Sequence, residues 1–541
     1  LATPLHVLTY IDGVIYTNYR QHFSGAVLKM LMTPGVGDLF DFSLRDWLKV
    51  IFMLSAAAGA EAGAAWGLGR LVDRVPRLAL RAGRTATIAT AAILGAVLLE
   101  KAIYMWADAT SRRDVMVNAR VIPFYLPATC KRRLRKMGFT VDREHSFSRS
   151  LALKYPLKPV RPPEKPRRLN LVWLAVEGWR PDALTPEISP NLSRFAEGCL
   201  VGERHYSSGN CTRIGIFGMF YGLDGFYWKP FLAERRGPVL VSLLKEMGYD
   251  FLMMGSANFL NPELRLTCFV ELPEEKLAYG KALGRRNFQR DLEMTRRFGK
   301  FLDERDAKRP FFAFAFMDST HSPYRFQELP DWKPRFSGYA ESVSHERLAS
   351  DAAERRQALV RYRNSASYVD HLLGKMLDEV RKHGLLEDTV VMISGDHSEE
   401  FGENGFFGHN GSFDDWQVKT PLIFYYPGVK PGRITRMTSH VDWVPTVMKL
   451  IGVKDDPADY CQGVDILGDV ERDYVVGGSY NVAGIIARDG TRLVFPIEGY
   501  RMSTLDVYDG RYLEPPDRER LLKLHMPKLK EVYEGAGRFK R

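Results

Sequence analysis

From Leu169 onward the chain is punctuated by short, almost wholly apolar runs: LVWLAV (171–176), FLMMG (251–255), FFAFAF (311–316), VVMISG (390–395) and LIFYY (422–426). Runs of this length read as strands, and their lack of alternation means that both faces are buried. Segments 285–304 and 355–383 between them carry apolar residues at helical spacing. Buried strands alternating with helices predict an α/β fold, a mostly parallel sheet sandwiched by helices. Such sheets place ligands beyond the C-terminal ends of their strands. Chemistry-bearing residues are therefore sought just after each run.

Glu177 follows the first run, ahead of Gly178, Trp179, Arg180, Pro181 and Asp182. Asp396 and His397, then Glu399 and Glu400, follow VVMISG; His321 lies beyond FFAFAF, and His409 sits in the Gly-rich stretch GENGFFGHNG. Singly, each has a plain alternative, since strand-tip carboxylates cap helices and most histidines are structural. Gathered at strand ends, two carboxylates and an imidazole form a mixed O/N set suited to one divalent ion, Zn²⁺ first, with Mn²⁺ or Mg²⁺ as alternatives. Such an ion lowers the pKa of a bound hydroxyl, and further histidines can protonate a leaving group or offset charge. The loop HYSSGNCTRIGIFGMFYG (205–222) supplies the hydroxyl: it runs from small polar residues into what reads as a helix start, with Ser207, Ser208, Cys211 and Thr212 as candidate nucleophiles. Arg180 either reaches a substrate anion or pairs with Asp182, and Asn210 is a candidate for orienting substrate or a turn residue. Glu399 and Glu400 read as outer residues behind the ligands, or as solvent-facing.

The N-terminal part is of another kind. Residues 47–69 and 85–106 are apolar, rich in Ala and Gly, and close to the ~20 residues needed to cross a bilayer. Tyr104 and Trp106 suit the interfacial belt, and Glu61 is expected to face the interior of a helix bundle. The intervening loop holds Arg70, Arg74, Arg77, Arg81 and Arg84 against Asp73 alone, which places it in the cytoplasm and everything after Trp106 on the far side. Residues 1–18 read as the end of an earlier span, and the opening at Leu1 without an initiator Met reads as a chain whose upstream part is missing. The expected domains are thus a transmembrane region 1–106, a basic connector 107–168 and a soluble domain 169–541. The connector contains KRRLRK (131–136), Arg143, Arg149, Lys154, Lys158 and RPPEKPRR (161–168), and carries part of the net charge of +11. Anionic lipid is the expected partner; nucleic acid is excluded, because the segment faces away from the cytoplasm. Five dispersed cysteines form no CxxC pair, which excludes a zinc ribbon and leaves room for one or two disulfides.

From Leu169 to about Leu513 the chain resembles the sulfatase and alkaline-phosphatase superfamily. NLVWLAVEGWRPD is similar to its first metal-binding strand, SGDHSEEFGENGFFGHNGSF to its DH…G…GH block and SHVDWVPTVM (439–448) to its later helix. The resemblance implies Thr212 as nucleophile and Glu177, Thr212, Asp396 and His397 as the metal set, with His321 and His409 on the substrate phosphate. Sulfatases carry a formylglycine-forming C-x-P-x-R where this chain has Thr212-Arg213-Ile214-Gly215-Ile216. A Thr nucleophile is similar to lipid A phosphoethanolamine transferases and lipoteichoic acid synthases, and implies a phospho-threonine intermediate. DGVIYTNYRQHFSG (12–25) and NARVIPFYLP…KRRLRKMG resemble the PbgA/YejM group of inner-membrane proteins, implying a multi-pass bacterial inner-membrane protein with a periplasmic C-terminal domain and an association with lipopolysaccharide. The expected function is a metal-dependent phosphoesterase or phosphotransferase acting on a lipid or envelope phosphate ester. The alternatives are a non-catalytic sensor of anionic lipid or lipopolysaccharide, signalling to a membrane-protein partner, and a sulfatase.

Overall fold

The computed structural model describes residues 44–74, 76–110, 152–343, 351–480, 482–497 and 505–540, with isolated residues between 8 and 13, between 112 and 137, and at 348. Most of the expected earlier span over 1–18, of the 12–25 motif and of the NARVIPFYLP…KRRLRKMG stretch, together with Arg143 and Arg149, lies outside the described residues. The chain divides into two compact units, one holding the N-terminal helices and one holding everything described from Ala152 onward.

In the first unit, α1 spans Leu44–Arg74 and α2 spans Pro76–Ala109. Their segments Val50–Arg70 and Arg84–Ala109 are long and apolar enough to cross a membrane. Large apolar side chains of both, Phe52, Ile88 and Leu98 among them, are exposed, as lipid-facing residues would be. The arginines expected in a loop are instead helical, because α1 runs on to Arg74 and Pro76 opens α2. Proline is tolerated in a first helical turn, so Pro76 can open α2.

The second unit is built on an eight-stranded sheet of order β10-β2-β9-β6-β1-β5-β3-β4. Its strands are β1 (Asn170–Val176), β2 (Leu200–Tyr206), β3 (Asp250–Gly255), β4 (Leu277–Tyr279), β5 (Phe311–Met317), β6 (Thr389–Gly395), β9 (Leu422–Tyr425) and β10 (Gly432–Ser439). All neighbours pair in parallel except β9, which runs antiparallel to both β2 and β6. Every residue of β1, β5 and β6 is buried, as their unbroken apolar runs require. The expected runs at 171–176, 251–255, 311–316, 390–395 and 422–426 are all strands, whereas β2 and β10 escape an apolar-run reading because they are mixed sequences at one side of the sheet. β11 (Tyr474–Gly478), β12 (Val482–Ala487), β13 (Arg492–Pro496) and β14 (Asp506–Tyr508) form a second, antiparallel sheet. The pair β7 (Glu400–Phe401) and β8 (Phe407–Gly408) closes a small hairpin.

Helices α3 (Pro190–Ala196), α4 (Thr212–Tyr221), α5 (Asn287–Glu304), α6 (Ala352–Lys382), α7 (Trp443–Leu450) and α8 (Arg518–Gly537) cover this frame. One core cluster joins α4 and α7 to one face through Trp173, Phe220, Phe312 and Trp443; a second joins α3, α5 and α6 to the other through Val172, Leu174, Phe298 and Leu373. The distal part of the connector belongs to this unit. Tyr155 packs edge-on against Phe231 and Phe539, and the Leu153 N–H donates to Glu234 at 2.7 Å. None of the five cysteines is in a disulfide, and Cys199, Cys211, Cys268 and Cys461 are buried singly in the core.

Asp224, beyond the end of α4, is a buried acid with a measurable consequence. Burial pushes its carboxyl up to about 7, against the pull of Arg472 and Gln462. The folded state therefore keeps a proton that the unfolded chain sheds near 3.8. That contribution to stability is complete below 3.8 and is lost as pH rises through about 7. Asp224→Asn is expected to flatten the decline between these limits and to stabilise the protein at pH 8 by on the order of 2–4 kcal/mol. Thermal melts across this pH range check it; melting curves that stay parallel for the two proteins would refute the assignment.

Candidate active site

The candidate residues converge at the C-terminal ends of β1, β5 and β6. Glu177 follows β1 directly, and Gly178 then takes a left-handed φ of +56°, which turns the chain away and leaves the carboxylate at the strand tip. Asp396 and His397 stand at the tip of the neighbouring β6. Thr212 is the first residue of α4, so its hydroxyl sits at the positive end of a helix whose other residues, Arg213 apart, are buried. Its Oγ1 donates to Glu177 Oε2 at 3.1 Å and lies 3.5 Å from His397 Nε2. His397 Nε2 is in turn 3.3 Å from Glu177 Oε1 and 3.4 Å from Asp396 Oδ2.

The wiring behind these atoms aims them inward. Asp396 Oδ1 accepts from the N–H groups of Gly178 at 3.0 Å and His397 at 2.9 Å. His397 Nδ1 engages the Ser398 carbonyl at 2.9 Å, which turns Nε2 toward the site. Glu177 Oε1 and Asp396 Oδ2 are buried without a hydrogen-bond partner among the described residues. Two orphaned carboxylate oxygens beside an imidazole nitrogen form a costly arrangement in an empty protein interior and the normal donor set of a divalent cation. The residues therefore fit such an ion. One donor atom each from Glu177, His397 and His409 also lie within 4.8 Å of one another.

Electrostatics report the same crowding. Burial works against ionising Glu177, yet His397, His321 and His409 together hold its carboxyl below the usual range. Burial and then the Glu177 charge push Asp396 up to about 8. His397, despite burial, is raised to about 10 by Asp396 and Glu177.

His321 and His409 flank this centre. The turn bearing His321 is pinned by Asp291 of α5, which accepts from the N–H groups of Asp318 at 3.1 Å and Ser319 at 2.8 Å. His321 Nδ1 meets the Ser322 carbonyl at 2.8 Å, leaving Nε2 for the site. The His409 ring lies 4.2 Å from that of His397 and 5.9 Å from that of His321. Of the two readings of Glu399, the structure shows the outer residue behind the site: it is 3 % exposed, its Oε2 meets His409 Nδ1 at 2.7 Å and its Oε1 accepts from the Tyr324 hydroxyl at 2.8 Å. The available signal is its place two residues after His397, a position whose side chain the strand-end turn returns to the site.

The remaining candidates take other places. Arg180 is buried and fully engaged: Nε and Nη2 bind Asp182 at 2.8 and 2.9 Å, and Nη1 meets the Glu399 carbonyl and Glu403. Of the two roles read from the sequence the structure shows the pairing with Asp182, because the guanidinium also braces the chain around Glu399. Asn210 is 1 % exposed and ties two loops together, its Nδ2 donating to Ser412 O at 2.8 Å and its main-chain carbonyl accepting from Asn410 N at 3.1 Å. It thereby holds the His409 loop against the Thr212 loop. Burial pushes the Cys211 thiol up to about 11, so it is neutral packing beside the nucleophile candidate.

Comparison with known proteins agrees with this frame. A family model described as sulfatase matches residues 170–453, and one described as a domain of unknown function (DUF3413) matches residues 1–161. The chain is 24 % identical over 531 residues to an uncharacterized protein of Haemophilus influenzae, covering 95 % of this chain and 80 % of that one. It is 24 % identical over 487 residues to the inner membrane protein YejM of Salmonella typhimurium, covering 86 % and 73 %. Among solved structures it is similar in fold to an alkaline phosphatase superfamily protein of Vibrio parahaemolyticus (TM-score 0.51, 18 % identity, 75 % of this chain and 96 % of that one). A phosphonate monoester hydrolase of Agrobacterium radiobacter is similar too (TM-score 0.51, 15 % identity, 68 % and 96 %). With the sulfatase model spanning more than half of its length, on a fold shared with the alkaline phosphatase superfamily, this chain belongs to the sulfatase family.

Proposed function

We propose that the chain is a membrane-anchored phosphoesterase or phosphotransferase that works through a phospho-Thr212 intermediate on a phosphate ester of a lipid or envelope polymer. The observation that carries this reading is the Thr212 hydroxyl at a helix N-terminus, 3.1 Å from Glu177 and 3.5 Å from His397, beside two orphaned carboxylate oxygens. Glu177, Asp396, His397 and Thr212 would hold a divalent ion, zinc first, which when bound acidifies the hydroxyl and offsets phosphoryl charge. Thr212 Oγ attacks phosphorus, the bond to the leaving oxygen breaks, and the ester group is carried on Thr212. The hydroxyl proton passes to the Glu177 side, and His321 or His409 protonates the leaving oxygen. Water or an acceptor hydroxyl then releases the phosphoryl group by the reverse geometry. Phosphate is favoured over sulfate because Cys211-Thr212-Arg213-Ile214-Gly215 lacks the residues of a formylglycine site.

The setting is part of the same proposal: two apolar helices and a YejM relative support a bacterial inner membrane, with the sulfatase-like domain on the periplasmic side. Anionic phospholipid or lipopolysaccharide is the proposed source of the ester. The test uses the full chain in detergent: elemental analysis for bound metal, then incubation with bis(4-nitrophenyl) phosphate and mass spectrometry of the Thr212 peptide. Stoichiometric metal and a nitrophenyl-phosphoryl group on Thr212 are expected. A metal-free protein with an unmodified Thr212 peptide and no nitrophenolate release would favour a non-catalytic sensor.

Glu399 gives a sharper check on the histidines. Glu399→Ala removes the carboxylate that engages His409 and the Tyr324 hydroxyl, and should lower kcat on the same diester by about 10–100-fold, the usual scale for a residue that orients a working group. Glu399→Gln, which still accepts from one neighbour, should recover part of the loss. Equal rates for wild type and Glu399→Ala would remove His409 from the mechanism.

A further inference from the structure

Arg213, immediately after Thr212, is not used by the mechanism above. Its Nη2 donates to Glu263 Oε2 at 2.7 Å, and its guanidinium carbon lies 5.5 Å from the Trp228 ring centre and 5.1 Å from that of Tyr480. About a fifth of each charged side chain stays open to solvent (19 % and 17 %), and Tyr480 is 42 % exposed. The turn that carries Tyr480 is stitched to the nucleophile loop: Gly478 N donates to Ser208 O at 2.7 Å and Asn210 N donates to Gly478 O at 3.1 Å. The charged and polar groups that act on the Tyr480 hydroxyl include Cys211, Arg213, Glu263 and Glu177. The pair and its aromatic cover thus adjoin the reacting centre.

We propose that Arg213, Glu263 and Tyr480 form a subsite beside Thr212 for a neutral, vicinally hydroxylated substituent on the phosphate of the substrate. This rests on the reading of Thr212 as a phosphoryl acceptor. The charge balance makes the choice. A second phosphate would gain from Arg213 and lose to Glu263, and an ammonium group the reverse, so neither is drawn in by a pair of zero net charge. A diol satisfies both partners: one hydroxyl oxygen accepts from the guanidinium, the other hydroxyl donates to the carboxylate, and the C–H face lies on the Tyr480 ring. Glycerol and sugar substituents share this chemistry, and size at the Tyr480 ring separates them.

The test is calorimetric titration of the full chain in detergent with sn-glycerol 3-phosphate, glucose 1-phosphate, ethyl phosphate and O-phosphoethanolamine. A diol-bearing phosphate is expected to bind about tenfold tighter than ethyl phosphate, with the aminoethyl compound no tighter than ethyl; which diol leads identifies the source. Glu263→Gln and Arg213→Met should each bring the diol-to-ethyl ratio to near one. Tyr480→Ala, at an exposed position, should lower it without disturbing the fold. A ratio near one in the native protein, tightest binding of the aminoethyl compound, a ratio unchanged in all three variants, or no binding of any compound overturns the proposal. Diol preference in a protein that never modifies Thr212 would overturn the catalytic reading alone, and turnover without diol preference would overturn the subsite alone.

Discussion

Thr212→Ala is expected to lower turnover by on the order of 10⁶-fold, the scale seen when a nucleophile is deleted from a site whose other groups remain. Nothing else in the loop replaces it. Ser207 donates its hydroxyl to the Asp396 carbonyl and Ser208 to the Ile214 carbonyl, so both are committed to holding the loop. The Cys211 thiol is buried and neutral. The fold should be little affected, because the Thr212 hydroxyl makes only its bond to Glu177 and a long one to His397, and losing them costs about 1 kcal/mol. Thr212→Ser keeps the hydroxyl and should recover much of the rate, which separates a chemical role from a packing one. The readouts are nitrophenolate release and the mass of the Thr212 peptide. Near-native turnover by the Ala variant would end the phospho-threonine mechanism, whatever the metal content.

What can be read from the sequence follows from how tightly chemistry restricts residue type. Glu177, Asp396 and His397 are legible as site candidates because they come just after runs that must be buried strands, the end of such a sheet where ligands sit. The strands β1, β5 and β6 announce themselves by burial on both faces. β9 announces itself as a strand but hides its direction, since an antiparallel strand flanked on both sides is as apolar as a parallel one. β11 to β14 carry no such cue: YVVGG and VAGIIA are short, glycine-bearing and far from the recognised motifs. Glu399 is easily misjudged because an acid after two ligands looks the same in sequence whether it meets solvent or, as here, a histidine and a tyrosine. Arg180 shows the reverse, since an arginine near a phosphate site invites a substrate role that only three-dimensional pairing with Asp182 and Glu403 assigns elsewhere.

Gly215→Ala is expected to damage both stability and rate far beyond the single methyl group it adds. Glycine to alanine inside a helix ordinarily stabilises by about 1 kcal/mol, because alanine has less backbone freedom to lose. At Gly215 the sign reverses. A Cβ there would lie 2.0 Å from the carbonyl oxygen of Asp396 and 2.9 Å from its carbon, and both are backbone atoms with no flexible tip to swing aside. Either α4 or the end of β6 must retreat by about 1 Å or more to reach ordinary contact distance. Each of those elements carries half of the site: α4 presents Thr212, and β6 presents Asp396 and His397. Overpacking of this kind costs about 1–3 kcal/mol, enough to cancel the propensity gain. A misplacement of about 1 Å between nucleophile and ligands can lower the rate by about 10²-fold. Gly537, the last residue of α8, has nothing within 4 Å of where an added Cβ would stand, so Gly537→Ala should leave the rate unchanged and stability equal or slightly raised, and serves as the control. Melting temperature and kcat measured on both variants decide the matter. A Gly215→Ala protein with native stability and rate would mean that the Thr212 helix and the Asp396 strand end are not held in the close backbone contact on which the geometry of the site depends.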